Sequence, residues 1–101
     1  MITRIQSIHF DADVKLLQQV QDKMERLARY IQNKAIEAKV ILKLEHGGQV
    51  QDKVIEIIIN LPGQNLVAKS TKKSFEEALN QVIATLKKQL LRHKEKIQQK
   101  H

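Results

Sequence analysis

The apolar residues change their spacing twice along the chain, and this change determines the order of helices and strands. Over residues 14–32 they recur every three or four positions, which is the period of one helix face. Over residues 38–61 they alternate with polar residues or form short β-branched runs, which indicates strands. Over residues 74–98 the helical period returns. The pattern therefore predicts two helices separated by a set of strands.

The amino-terminal third contains a predicted strand and the first helix. Residues 2–9, with isoleucine at every third position, are predicted as a short strand. Asp13 is a suitable N-cap for a helix over residues 14–32. The apolar stripe of this helix consists of Leu16, Val20, Met24, Leu27 and Ile31. A second stripe along one flank of that face consists of Lys23, Arg26 and Tyr30.

The middle of the chain is predicted to form three strands. Residues 38–45 alternate, with Ala38, Val40, Leu42 and Leu44 on the inner side. His46-Gly47-Gly48 predicts a hairpin turn before a second strand over residues 53–61, whose inward residues are Ile55, Ile57 and Ile59. Pro62-Gly63 predicts another turn, and residues 66–70 a last, shorter strand.

The second helix begins with a capping box formed by Ser74 and Glu77 and continues to about Gln98. Roughly 24 helical residues span about 36 Å, whereas a seven-residue strand spans about 23 Å. We therefore expect the last two or three turns of the helix to extend beyond the sheet.

These elements give the order β-α-β-β-β-α in one domain over residues 1–101. Two strands joined by a helix are expected to be parallel neighbours, and the other three to form an antiparallel meander. Both helices must bury an apolar stripe. The predicted fold is therefore α+β, a four-stranded mixed sheet with two helices packed on one face.

The positive charge is concentrated in the last third of the chain. The net charge is +7, and residues 69–101 hold nine of the 18 basic residues but three of the 11 acidic ones. The macrodipole of a helix favours cations only in its last turn. It therefore does not explain a basic segment that begins at Lys87, about three turns before the predicted end of the second helix. Such an asymmetry points to a polyanion, which could be RNA, DNA or an acidic membrane surface.

Several classes of function lack support in the sequence. The chain has no cysteine, no glycine-rich phosphate loop, no paired catalytic carboxylates and no nucleophile motif. We therefore predict that it is not an enzyme and that it uses no metal, cofactor or small-molecule substrate. With an aromatic content of only 3%, recognition by extensive base stacking is not expected. No signal peptide or membrane span is predicted.

Three kinds of polyanion-binding protein fit this pattern. One is an inhibitor or regulator of a large ribonucleoprotein. A second is a double-stranded RNA-binding module, because residues 71–79 resemble the start of its last helix, although the strand before the first helix does not fit it. A third is a protein that rests on a membrane surface, but the second helix lacks Trp and needs its apolar face for the core.

The end of the second helix reads Leu86-x-x-Gln89-Leu90-x-Arg92-His93-Lys94-x-Lys96. This motif resembles that of the ribosome hibernation-promoting factors, also called ribosome-associated translation inhibitors. The resemblance is supported in the first helix by Leu16-x-x-x-Val20-x-x-Lys23-x-x-Arg26-Leu27-x-x-Tyr30, and in the second strand by Val40-x-Leu42-Lys43-Leu44-Glu45. It covers essentially the whole chain.

The resemblance implies a bacterial, cytoplasmic, ribosome-associated protein. Such proteins lodge in the decoding channel of the small subunit, contact the backbone of 16S-type ribosomal RNA, cover the messenger and transfer RNA sites, and silence idle ribosomes in stationary phase. The basic positions that match the family are Lys23, Arg26, Lys88, Arg92, Lys94 and Lys96, with Arg29 and Lys87 beside them. The length matches the short form, without a carboxyl-terminal dimerisation domain, so we expect that pairing of ribosomes either needs a separate factor or does not occur.

Two positions depart from the family pattern. An acidic residue commonly opens the second helix, where this chain has Ser74, and a basic residue often stands where this chain has Thr85. Ser74 can still cap the helix, and Lys87 can supply the missing charge nearby.

Overall fold

The computed structural model describes residues 1–31, 36–45 and 52–98, and of residues 95–98 it describes the backbone alone. The elements in chain order are β1 (Ile2–Ile8), α1 (Val14–Leu27), a 3₁₀ turn (Ala28–Tyr30), β2 (Glu37–Leu44), β3 (Lys53–Leu61), β4 (Gln64–Lys72) and α2 (Phe75–Gln98). The predicted α+β class and the order β-α-β-β-β-α are confirmed.

The four strands form one mixed sheet in the order β1-β2-β3-β4. β1 is parallel to β2, whereas β2, β3 and β4 form an antiparallel meander, both as predicted. β4 is longer than the predicted 66–70, because all nine of its residues pair with β3, from Gln64 opposite Leu61 to Lys72 opposite Lys53. The predicted His46-Gly47-Gly48 turn lies outside the described residues.

The core lies between one face of the sheet and the two helices. Alternation places Ile55, Ile57 and Ile59 of β3 on that face, where all three are fully buried. The buried residues of the helices are Val20, Met24, Leu27, Ala78, Leu79, Val82, Leu86 and Leu90. Burying each large apolar side chain contributes roughly 1.5–3 kcal/mol, so this single cluster is the main source of stability.

Both predicted helix caps are present. An Oδ1 atom of Asp13 accepts a hydrogen bond from the backbone N–H of Leu16 at 2.7 Å. The Oγ atom of Ser74 accepts one from the backbone N–H of Glu77 at 3.1 Å. Each cap satisfies a backbone donor that has no partner within its helix, which fixes where the helix begins.

The predicted end of the first helix at Gln32 is wrong, because α1 ends at Leu27 and tightens into the 3₁₀ turn. The backbone N–H of Ala28 is shared between the carbonyls of Met24 and Arg26. The backbone of Ile31 is already extended, with φ −116° and ψ 119°. Ile31 nevertheless packs against the core, so the apolar period continues where the α-helix does not.

The two helices run in the same direction. β1 and β4 end at the same end of the sheet, and each leads into a helix that returns along it. The two helices therefore begin side by side, where the rings of Phe10 and Phe75 stack with centroids 5.1 Å apart. Their carboxyl ends lie together at the other end of the molecule.

The part of α2 that extends beyond the sheet is shorter than predicted. β3 and β4 have nine residues each and span about 30 Å, not the 23 Å of a seven-residue strand. His93 still contacts Gln64, the first residue of β4. About one turn of α2 therefore continues past the sheet, in place of two or three.

Candidate nucleic-acid interface

The predicted basic stripe of α1 lies along one flank of that helix. Successive residues of a helix are rotated by about 100° around its axis. Lys23 and Arg26 therefore lie about 60° and 120° around the axis of α1 from the buried Val20, both in the same direction of rotation. Lys23 is half-buried and Arg26 is exposed. Tyr30 continues the line through the 3₁₀ turn and is 39% exposed.

Lys87 of α2 faces this flank. Its Nζ atom lies 5.3 Å from the centroid of the Tyr30 ring, in the geometry of a cation–π contact. This contact identifies the side of α2 that faces α1. Lys94, seven positions after Lys87, projects from the same side of the helix and is exposed.

These residues form one continuous surface, which we call the interhelical basic surface. It consists of Lys23, Arg26, Tyr30, Lys87 and Lys94. It borders the contact that α2 makes with α1 and with the 3₁₀ turn. The structure therefore brings together two basic groups that lie about 60 residues apart in the sequence.

The predicted residues Lys88 and Arg92 are exposed but lie on a different part of α2. By helical geometry Lys88 faces away from the sheet and Arg92 faces the β4 side, about 100° and 140° around the axis from Lys87. Arg29 is exposed in the 3₁₀ turn. Lys96 belongs to the last turn of α2 by its backbone, and its side chain lies outside the described part. The basic residues thus surround the end of α2 and do not form a single row.

Two polar residues hold this basic end of α2 against β4. The Nε2 atom of Gln89 donates a hydrogen bond to the backbone oxygen of Val67 at 3.3 Å. The Nδ1 atom of His93 is in hydrogen-bond contact with Oε1 of Gln64 at 3.1 Å. His93 lies in line with Phe75 on the helical wheel of α2, which favours a packing or capping role over that of a catalytic base, and this contact fits that role. Nothing in the sequence assigns such a role to Gln89. The sequence signal that could have identified both residues is the spacing of four between Gln89 and His93, which places them on the same flank of the apolar stripe of α2.

The basic side chains of this region are available to an external anion. None of Lys23, Arg26, Arg29, Lys87, Lys88, Arg92 and Lys94 forms an ion pair with another residue of the described part. Within the same residues, no three His, Cys, Asp or Glu side chains cluster as metal ligands. None of the helices in this part has the length and apolarity needed to cross a bilayer. The arrangement is suited to contacts with several phosphates of a polyanion.

Comparison with known proteins gives one family and a recurring fold. Residues 3–98 match the sequence model of the family described as sigma 54 modulation protein / S30EA ribosomal protein. The Thermus thermophilus Protein Y N-terminal domain superposes with a TM-score of 0.74 at 23% identity, covering 90% of this chain and 94% of that one. A ribosomal subunit interface protein from Coxiella burnetii gives 0.77 at 18% identity, covering 93% and 98%. No functionally curated protein sequence matches the chain significantly. At these identities the two structures establish the shared fold.

Proposed function

The chain belongs to the sigma 54 modulation protein / S30EA ribosomal protein family, the family of ribosome hibernation-promoting factors, and from this membership we propose that it binds the small ribosomal subunit. It lodges in the decoding channel, contacts the backbone of 16S-type ribosomal RNA, and occupies the paths of messenger RNA and transfer RNA. In idle or stationary-phase cells it thereby silences translation. The action is occlusion, and no bond is made or broken.

The structural observation that best supports this proposal is the contact between Lys87 and Tyr30, which joins the basic flanks of the two helices. A single basic helix flank can contact one line of phosphates. The interhelical basic surface, together with Lys88 and Arg92 on the outer sides of α2, presents charge in several directions. This arrangement suits a cavity walled by RNA better than one face of a straight duplex.

The contacts are expected to be to phosphates and to RNA shape. The interhelical basic surface offers Lys and Arg side chains, and its one aromatic ring, that of Tyr30, is already covered by Lys87. About six phosphate contacts give a slope of about −5 for log affinity against log salt concentration on the duplex DNA coefficient. Binding is therefore expected to weaken steeply with salt and to depend little on base sequence.

The double-stranded RNA-binding module remains the alternative that the experiment must separate. The pairing of β1 with β2 gives the sheet a fourth strand before the meander, which that module does not have. Lys72 and Lys73 still precede the capped start of α2, where a duplex phosphate could bind.

The first test is co-sedimentation of the protein with small subunits, large subunits and intact ribosomes, with excess duplex RNA as competitor. We expect retention on small subunits and intact ribosomes despite the competitor. Transfer of the protein to the duplex would contradict the proposal and favour the double-stranded RNA-binding module.

A second arm tests the decoding channel itself. Small subunits loaded beforehand with messenger RNA and transfer RNA should no longer retain the protein, and the protein should inhibit initiation in a purified translation system. Equal retention on loaded and empty subunits would place the binding site elsewhere on the ribosome.

A further inference from the structure

The outer edge of β1 carries backbone groups that no strand of the described chain uses. The backbone N–H of Ile2, which lies opposite Glu37, donates to the oxygen of Ile36 in the β2 direction at 2.8 Å. Backbone groups alternate in direction along a strand, so those of Thr3, Ile5 and Ser7 point outward. An edge of this kind is a template for another strand.

The opposite edge of the sheet differs from this one. There the side chain of Gln89 donates to the outward-facing backbone oxygen of Val67, and His93 contacts Gln64. The end of α2 thus occupies part of the β4 edge. Neither Pro nor Gly interrupts β1, and its seven residues contain a single charge. The β1 edge is therefore the more receptive of the two.

The sequence of β1 reads almost the same in both directions in chemical terms. It runs Ile2, Thr3, Arg4, Ile5, Gln6, Ser7, Ile8. An isoleucine stands at each end and at the centre, a hydroxyl residue lies inside each end, and a long polar residue flanks the centre on both sides. We propose that β1 is a dimerisation edge, at which the β1 strand of a second copy of this chain pairs antiparallel with its centre on Ile5.

This register uses the outward backbone groups fully. With Ile5 opposite Ile5 of the second copy, Thr3 lies opposite Ser7, and all three outward positions become hydrogen-bonded pairs. Each such pair exchanges two hydrogen bonds, so the edge gains about six. A slip by one residue would place outward groups opposite inward ones and lose these bonds.

The side chains select the same register. With the centre on Ile5, Arg4 lies opposite Gln6 of the second copy, and Ile2 lies opposite Ile8. A shift of two residues in one direction would place Arg4 opposite Arg4, and the shift in the other direction would place Arg4 opposite Ile8. Like charges directly opposite each other destabilise a sheet, so the centred register is favoured.

The geometry of the monomer is compatible with this pairing. A two-fold axis perpendicular to the sheet leaves the helices of both copies on the same face. Ile2, 52% exposed in one copy, would be covered by Ile8 of the other. Arg4 already lies 3.7 Å from Glu37 within its own chain, so its charge is partly balanced.

The test is sedimentation equilibrium of the full chain and two variants at one exposed position. Gln6→Glu places a carboxylate opposite Arg4 of the second copy, whereas Gln6→Lys places an ammonium group there. Each change acts twice because of the symmetry, so the dimerisation constants of the two variants should differ by about tenfold, with Gln6→Glu the tighter. The matched controls, Asn65→Glu and Asn65→Lys, make the same charge changes at an exposed position of β4 and should differ much less.

Amide hydrogen exchange at increasing protein concentration tests the edge directly. The amides of Thr3, Ile5 and Ser7 should become protected as the dimer forms, while those of Asn65 and Lys69 should not. A monomer up to millimolar concentration would overturn the proposal. A dimer that protects the β4 amides would also overturn it. The same holds for a dimerisation constant that responds equally to the charge changes at positions 6 and 65.

Discussion

Replacing Lys88 and Arg92 by glutamine is expected to weaken binding to the small ribosomal subunit while leaving the fold intact. Both side chains are exposed, and neither forms an ion pair with another described residue, so the change should alter the free energy of unfolding by less than about 0.5 kcal/mol. Binding should change because two phosphate contacts out of about six are lost.

The size of the loss follows from counterion release. Six contacts give a log–log salt slope of about −5.4, and four give about −3.6, on the duplex DNA coefficient. If the electrostatic contribution vanishes near 1 M salt, the difference amounts to about 30-fold in affinity at about 0.15 M salt, or about 2 kcal/mol. At about 0.05 M salt the same difference is about 200-fold.

The assay is fluorescence anisotropy of labelled protein titrated with small subunits at several salt concentrations. The matched control is Lys39→Gln with Lys69→Gln, which removes the same charge from the open face of the sheet, where both residues are exposed. The control should keep the slope of the unmodified protein. Equal losses for the two double variants, or an unchanged slope for Lys88→Gln with Arg92→Gln, would refute the assignment of this surface.

Three further predictions concern the stability of the framework, each measured by urea unfolding. Tyr30→Ala should lose the contact with Lys87 and cost about 0.5–1 kcal/mol, whereas Tyr30→Phe should retain most of it. Leu86→Ala removes a fully buried side chain and should cost about 2–5 kcal/mol; a cost under 1 kcal/mol would mean that the core is loosely packed there. Asp13→Ala removes the bond to the N–H of Leu16 and should cost about 1 kcal/mol, while Asp13→Ser should cost little.

The sequence predicts most of the fold because local and global signals agree. The caps at Asp13 and Ser74, the alternation through β3 and the Pro62-Gly63 turn are all found where the pattern places them. The errors lie at element ends. The apolar period could not reveal that α1 stops at Leu27, because Ile31 reaches the same core through a 3₁₀ turn and an extended residue.

The candidate site is less predictable, because it depends on how two distant elements meet. The sequence identifies Lys23, Arg26 and Tyr30 as one flank and the segment after Lys87 as another. It cannot say which of the α2 residues face α1, since that follows from the tilt and depth at which each helix packs on the sheet. The structure assigns Lys87 and Lys94 to the shared surface and turns Lys88 and Arg92 away from it.

The common direction of the two helices has a kinetic consequence. At the ends where the helices begin, the acidic residues Asp11, Asp13, Glu76 and Glu77 are nearly balanced by Lys15, Lys72 and Lys73, whereas the basic residues at the ends where the helices finish greatly outnumber the described acidic ones there. Glu76 and Lys94 are separated by 18 helical residues, or about 27 Å, so the excess positive charge lies at one end of the molecule, far from the nearly neutral end. The electric field of a polyanion exerts a torque on this uneven charge distribution and turns the basic end forward. The chain therefore arrives already oriented, and a larger share of its encounters can proceed to binding.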